Sequence, residues 1–230
     1  MTDWTIDGII FDNDGTLVDS ERVASVLLCQ MLAERGLALE PAQVLARFRG
    51  VRFALFIDSL KAHFEDFQAD DFVQQFRQRS LAEFASGLAP MPGAVAFVSA
   101  LPVPSCVASN GPLDKIETTL RAAGLWPWFE GRVLSAYEVG SWKPEPGLIL
   151  AAADFLQLPP ARCLLVEDSH AGVHAGLAAG TQVVGYGLDT DFSCYLGTPG
   201  FHRAEDYSAL TDLLAATRSA RSRARVMRRS

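Results

Sequence analysis

Five short apolar runs rich in β-branched residues constrain this chain more than any other feature: Ile6–Asp12, Pro104–Ser109, Arg132–Ser135, Cys163–Glu167 and Gln182–Tyr186. Runs of this length that pass into small or polar residues read as buried strands. Between the last four lie stretches of helical period, such as Leu113–Ala123 and Pro146–Leu156. Strands alternating with helices require right-handed crossovers, which cover both faces of a parallel sheet. The expected fold is therefore α/β, with a doubly wound (Rossmann-like) parallel sheet as its core.

Residues 18–87 break that rhythm, because they are helical in pattern throughout. Val23, Val26, Leu27, Gln30 and Met31 begin one amphipathic helix that Gly36 ends, and Pro41 opens a second that reaches Phe48. Phe53–Phe64 and Asp71–Phe84 follow, and Leu88-Ala89-Pro90-Met91-Pro92-Gly93 has the stiff turn chemistry of a return linker. An all-helical insertion is expected at 18–87, within an α/β core made of 1–17 and 88–230.

The last residues, 217–230, hold six arginines and no acid, whereas the whole chain has a net charge of -7. An acidic body argues against nucleic acid as a partner, and no aromatic residue interleaves the basic tail, which reads as solvated. No apolar run approaches the roughly 20 residues of a membrane span, and the acidic start lacks the features of a secretory leader. A cytoplasmic protein with no membrane partner is expected. Cys29, Cys106, Cys163 and Cys194 have no paired spacing and are read as buried reduced thiols.

In open α/β sheets the ligand site lies beyond the carboxyl ends of the strands. There the first run delivers Asp12-Asn13-Asp14-Gly15-Thr16, the second Ser109-Asn110-Gly111-Pro112, a loop after the third Lys143-Pro144, and the fourth Glu167-Asp168-Ser169. Crowded acids repel one another, and a divalent cation compensates them. Asp12, Asp168 and Glu167 offer hard oxygen ligands that suit Mg²⁺. A metal on carboxylates needs an oxygen-rich ligand, and phosphate fits. Ser109 offers a hydroxyl, Asn110 and Gly111 offer backbone N–H groups, and Lys143 offers a point charge for both the phosphate and Asp12. Asp12 is then placed to attack phosphorus in line and Asp14 to serve as the proton shuttle. Gly15 permits the turn between them, and Thr16 is expected to tie the loop to the sheet.

Asp12-x-Asp14-Gly15-Thr16, Ser109, Lys143-Pro144 and Glu167-Asp168-Ser169-x-x-Gly172, taken in this order, resemble the motifs of the haloacid dehalogenase superfamily. The resemblance implies that Asp12 is the nucleophile and Asp14 the acid/base. It also implies Mg²⁺ held by Asp12, the main-chain carbonyl of Asp14 and Asp168, with Glu167 a ligand directly or through water. The helical insertion would be a cap that closes over the site. Dehalogenases usually lack the second acid, so Asp14 favours phosphoryl transfer, and phosphomonoester hydrolysis through an aspartyl-phosphate is the expected reaction. β-Phosphoglucomutases carry a histidine where Ala24 stands here, which leaves a mutase as an alternative, and a non-catalytic Mg²⁺/phosphate-binding module as another. Arg47-Phe48-x-Gly50-Val51, Ser109-Asn110-Gly111-Pro112-x-x-Lys115 and Trp142-Lys143-Pro144-x-Pro146 look like bacterial phosphatases of 6-phosphogluconate and related sugar phosphates. A carboxylated sugar phosphate wants a further cation, and Arg49, Arg52 or Lys115 is expected to supply it. A cap-and-core enzyme of this kind can act as a monomer on a small-molecule substrate.

Some residues read more simply as structural. Ser169 is expected to cap a helix, Gly172 and Gly176 to allow close helix approach, His170 and His174 to lie at the surface, and Trp126, Trp128 and Phe129 to pack in the core.

Overall fold

Alternation along β1 (Gly8–Phe11) divides the molecule into two layers. Ile9 and Phe11 point into one apolar cluster and Ile10 into another on the opposite face of the sheet, as the two-residue period of a strand demands. The structure is a computed structural model, which describes residues 5–37, 39–48, 53–63, 67 and 69–216.

The sheet continues through β2 (Ser105–Ser109), β3 (Val133–Ser135), β4 (Cys163–Glu167), β5 (Gln182–Tyr186) and β6 (Phe201–Ala204). Its spatial order is β3-β2-β1-β4-β5-β6, and every pairing is parallel. This is the doubly wound order, with the strand sequence reversing direction between β1 and β4. Each expected run contains a strand. β6 escapes the apolar-run criterion because an edge strand need bury only part of itself: Phe201 and Ala204 are buried, while His202 and Arg203 between them are half-buried.

The helices α1 (Ser20–Ala33), α2 (Pro41–Phe48), α3 (Phe53–His63), α4 (Ala69–Ser86), α5 (Ala94–Ser99), α6 (Leu113–Ala122), α7 (Trp126–Phe129), α8 (Ala136–Val139), α9 (Gly147–Phe155) and α10 (His170–Ala179) follow in chain order among the described residues. Residues 207–216 are also helical. Leu148, Ile149 and Ala152 of α9 and Val173 and Ala175 of α10 cover one face of the sheet. Phe97 of α5, Ile116 and Leu120 of α6, and Phe129 of α7 cover the other, joined by Tyr207 and Leu210. Phe11 sits edge-on to Phe97 and Phe129, with ring centroids 6.2 and 5.9 Å away. Each such fully buried side chain contributes about 1.5–3 kcal/mol. Phe129 is thus core, as expected, and Trp126 carries the Arg121 guanidinium 4.0 Å above its ring.

Helices α1–α4 occupy the chain between β1 and α5. Helix α1 packs on α2 and α4, and α4 reaches the core helix α6. The outgoing and returning segments are stitched together, since Asp19 N–H donates to the Ala89 carbonyl at 3.1 Å and Met91 N–H to the Leu17 carbonyl at 2.9 Å. All four cysteines are free thiols, with Cys106 and Cys163 buried in strands. Two depart from expectation: Cys29 on α1 is only half-buried, and Cys194 is exposed, because it lies on a single 3₁₀ turn after β5 rather than in a strand.

Candidate active site

β1 ends at Phe11, and the next residue is anchored across the sheet by the bond from Asp12 N–H to the Val166 carbonyl at 3.0 Å. The chain then turns sharply. Leu17 and Val18 N–H both donate to the Asn13 carbonyl, and Gly15 N–H donates to Val18. Gly15 has φ +74°, and a Cβ there would collide with the Asp168 carboxylate, so both backbone angle and space require glycine. Asn13 is buried and donates to Thr119 Oγ1 at 3.0 Å, fixing the turn to α6. The expected role of the Thr16 side chain is corrected: its hydroxyl is buried without a partner, and the loop is tied instead by Tyr207 Oη donating to the Thr16 carbonyl at 2.8 Å.

Lys143 is buried, and its Nζ lies 2.6 Å from Asp12 Oδ1 and 2.7 Å from Glu167 Oε2. Burial disfavours its charge, but the two carboxylates outweigh that and raise its pKa. Burial pushes Asp12 up to about 7, against the pull of Lys143 and with Glu167 and Asp14 adding repulsion. The Asn110 side chain bolts Lys143 in place, accepting its N–H at 2.8 Å and donating to its carbonyl at 3.1 Å. Its amide therefore positions the lysine, and only its backbone N–H remains for the phosphate role read from the sequence. Ser109 is buried at the end of β2, with its Oγ accepting Gly111 N–H at 3.1 Å. Ser135 donates to the Gly111 carbonyl at 2.7 Å and fixes that loop from β3.

Glu167 has both oxygens engaged. Oε2 accepts from Lys143, while Oε1 accepts from Ser169 N–H at 3.1 Å and from Ser169 Oγ at 2.7 Å. Ser169 Oγ accepts Gly172 N–H in turn, which caps α10 as expected. A Cβ on Gly172 would overlap the Glu167 carboxylate, and one on Gly176 would press on Leu165 and Val183. Asp168 is also buried, and its carbonyl accepts from Thr190 Oγ1 at 2.7 Å, a contact with no local sequence signal.

Asp14 sits on the other side of the turn. Lys115 Nζ lies 2.8 Å from its Oδ2, and the Ser20 hydroxyl donates to its Oδ1. Burial acts to raise this carboxyl, but Lys115 and Ser20 overcome it and hold the group below the usual range. Lys115 is thus committed to Asp14, which differs from its expected place against a substrate carboxylate. The signal for Ser20 was available: it opens α1, close in sequence to Asp14.

Asp12, Glu167 and Asp168 each bring a carboxylate oxygen within 4.8 Å of the others. All are buried hard-oxygen donors, and a single ammonium, Lys143, lies between two of them. This set fits a small divalent cation such as Mg²⁺. A cavity of about 660 Å³ opens over these groups, within the range of roughly 300–1,000 Å³ usual for small-molecule sites. Asp12, Asp14, Ser109 and Lys143 line its floor, and Ala24 of α1, Ile57 of α3 and Phe84 of α4 contribute to its walls. Arg49 and Arg52 lie outside the described residues.

Comparison with known proteins agrees with this geometry. The model of the haloacid dehalogenase-like hydrolases matches residues 6–180. The 6-phosphogluconate phosphatase of Escherichia coli K12 is 35% identical over 179 residues, covering 77% of this chain and 81% of that one. Hexitol phosphatase A from the same organism is 34% identical over 189 residues, covering 80% and 84%. A HAD family hydrolase from Deinococcus radiodurans R1, solved with bound phosphate and sodium, superposes with a TM-score of 0.78 at 31% identity, covering 94% of this chain and 97% of that one. With motif residues from separate strands gathered on one sheet edge and the match spanning β1 to α10, the chain belongs to the haloacid dehalogenase-like hydrolases.

Proposed function

We propose that this phosphatase is a Mg²⁺-dependent phosphomonoester hydrolase acting on a small sugar phosphate, with a carboxylated sugar such as 6-phosphogluconate as the preferred kind, through an aspartyl-phosphate on Asp12. The observation that carries the reading is the division of labour at the end of β1. Asp12 is paired with a buried lysine, and Asp14 is held separately by Lys115 and Ser20.

Asp12 and Asp168, with the main-chain carbonyl of Asp14, would hold the cation. When bound, it supplies neutralising charge to the carboxylates and the phosphoryl oxygens. Ser109 donates its hydroxyl to the phosphoryl group, and the Lys143 ammonium beside Asp12 offsets its charge. The Asp12 carboxylate forms a bond to phosphorus as the bond from phosphorus to the ester oxygen breaks, and Asp14 gives that departing oxygen a proton from its protonated form, the minor one in the resting enzyme because Lys115 and Ser20 favour the carboxylate. Asp14 then takes a proton from water as the water oxygen attacks phosphorus, and inorganic phosphate leaves with Asp12 restored. Glu167, whose oxygens already accept from Lys143 and Ser169, acts by holding Lys143 rather than as a direct metal ligand.

Residues 18–87 serve in this reading as a cap over a core of 1–17 and 88–230, since α1, α3 and α4 supply walls of the cavity whose floor is catalytic. Phosphate release from a panel of phosphorylated metabolites, with Mg²⁺ and with excess EDTA, tests the proposal. Metal-dependent release from sugar phosphates is expected, and hydrolysis indifferent to EDTA would sink it.

A further inference from the structure

Among the described residues, four cations line the cavity: Lys61, Arg77, Lys115 and Lys143. Three already face carboxylates. Lys143 lies between Asp12 and Glu167, Lys115 on Asp14, and Lys61 3.9 Å from Asp58. Arg77 of α4 differs, since its side-chain partner among the described residues is neutral: Nη2 lies 3.5 Å from Tyr137 Oη, a long contact for an N–H···O bond. Tyr137, on α8, is half exposed and packs edge-on to Trp142 at 5.5 Å, next to Lys143 in the chain. The cavity therefore has a phosphate end at Asp12 and Lys143 and a rim where Arg77 from the helical insertion meets Tyr137 from the core.

We infer that Arg77 is the specificity-determining residue that reads an anionic group, a carboxylate, at the end of the substrate remote from the phosphate. A guanidinium presents a planar fork of donors that matches a carboxylate bidentately, whereas a tyrosine hydroxyl uses one donor at the edge of bonding distance. A carboxylate entering at the rim displaces that hydroxyl and gives Arg77 the anionic partner that Lys61, Lys115 and Lys143 already have. The inference rests on the phosphatase reading above and deepens it. It also supplies the cation that the sequence had sought at Arg49, Arg52 or Lys115.

The two relatives named above, a 6-phosphogluconate phosphatase and a hexitol phosphatase, frame the experiment. D-Gluconate 6-phosphate and D-glucitol 6-phosphate share chain length and phosphate position and differ only in a carboxylate against a hydroxymethyl group. The ratio of their kcat/KM values is measured in the intact enzyme, Arg77→Gln, Arg77→Lys and Tyr137→Phe. The intact enzyme should favour the acid, and Arg77→Gln should lower the ratio by about 10–100-fold, the worth of a hydrogen-bonded charge. Arg77→Lys should recover part of it, and Tyr137→Phe should keep it, because the tyrosine is only the resting partner. The inference is overturned if the intact enzyme shows no preference for the acid, if Arg77→Gln depresses both substrates equally, or if Tyr137→Phe loses the preference as Arg77→Gln does. Hydrolysis of the alcohol without preference for the acid leaves the phosphatase reading standing while this inference falls; no hydrolysis of any phosphomonoester overturns both.

Discussion

Glu167 Oε2 lies 2.7 Å from the Nζ of Lys143, and both groups are almost wholly buried. The carboxylate beside Asp168, the proposed metal ligand, therefore faces a cation of the protein itself. Replacing Glu167 by Gln should lower kcat by about 10–100-fold while the Mg²⁺ concentration for half-activation moves by less than about threefold. Asp168→Asn should instead raise that concentration more than about tenfold. Metal titrations of activity in the two variants separate a positioning residue from a ligand; equal effects on metal affinity would contradict the assignment.

With Asp12 as the proposed nucleophile, Asp12→Asn should reduce turnover by about a thousandfold or more, in line with other nucleophile deletions. The fold should persist, because Asn is nearly isosteric and removes one of several mutually repelling acids. Circular dichroism establishes folding, and phosphate release establishes the loss. Residual activity near that of the unaltered enzyme would reject Asp12 as nucleophile.

Lys115 is paired with Asp14 rather than directed at substrate. Lys115→Met should lower kcat by about tenfold on every substrate, acidic or neutral, because general acid–base catalysis is worth about 10²–10⁴ and only part of it depends on this partner. A rise in KM confined to carboxylated substrates would return Lys115 to a binding role.

Gly172→Ala places a methyl group against the Glu167 carboxylate. Overpacking of this kind costs about 1–3 kcal/mol, which corresponds to a Tm lower by about 2–12 °C in a chain of this size. Activity should fall with it, since Lys143 shifts with Glu167. Thermal unfolding followed beside kcat provides the check, and an unchanged Tm would show that the helix approaches less closely than described.

Much of the molecule was legible in local pattern. The apolar run through Ile9, Ile10 and Phe11 specified a buried strand, and Asp12, Asp14, Ser109, Lys143 and Asp168 each follow such a run or its loop. Residues that a parallel sheet delivers to its carboxyl edge must meet there. The helices between β1 and α5 were equally visible, because a 3.6-residue period is a property of the segment itself.

The sequence by itself determined the first five strands and brought Asp12, Asp14, Ser109, Lys143 and Asp168 to the site; only the tertiary structure decided who pairs with whom and added Arg77 to the cavity. Lys115 meets Asp14 across 101 positions of chain, Arg77 meets Tyr137 across 60, and Lys143 meets Glu167 across 24. No periodicity encodes such contacts, since they depend on how α4, α6 and α8 are placed around the sheet. The same reason hid β6, whose burial comes from β5 beside it rather than from an apolar run of its own. Short-range sterics and hydrophobic period act within a segment, whereas charge pairing and edge burial arise only after segments have packed.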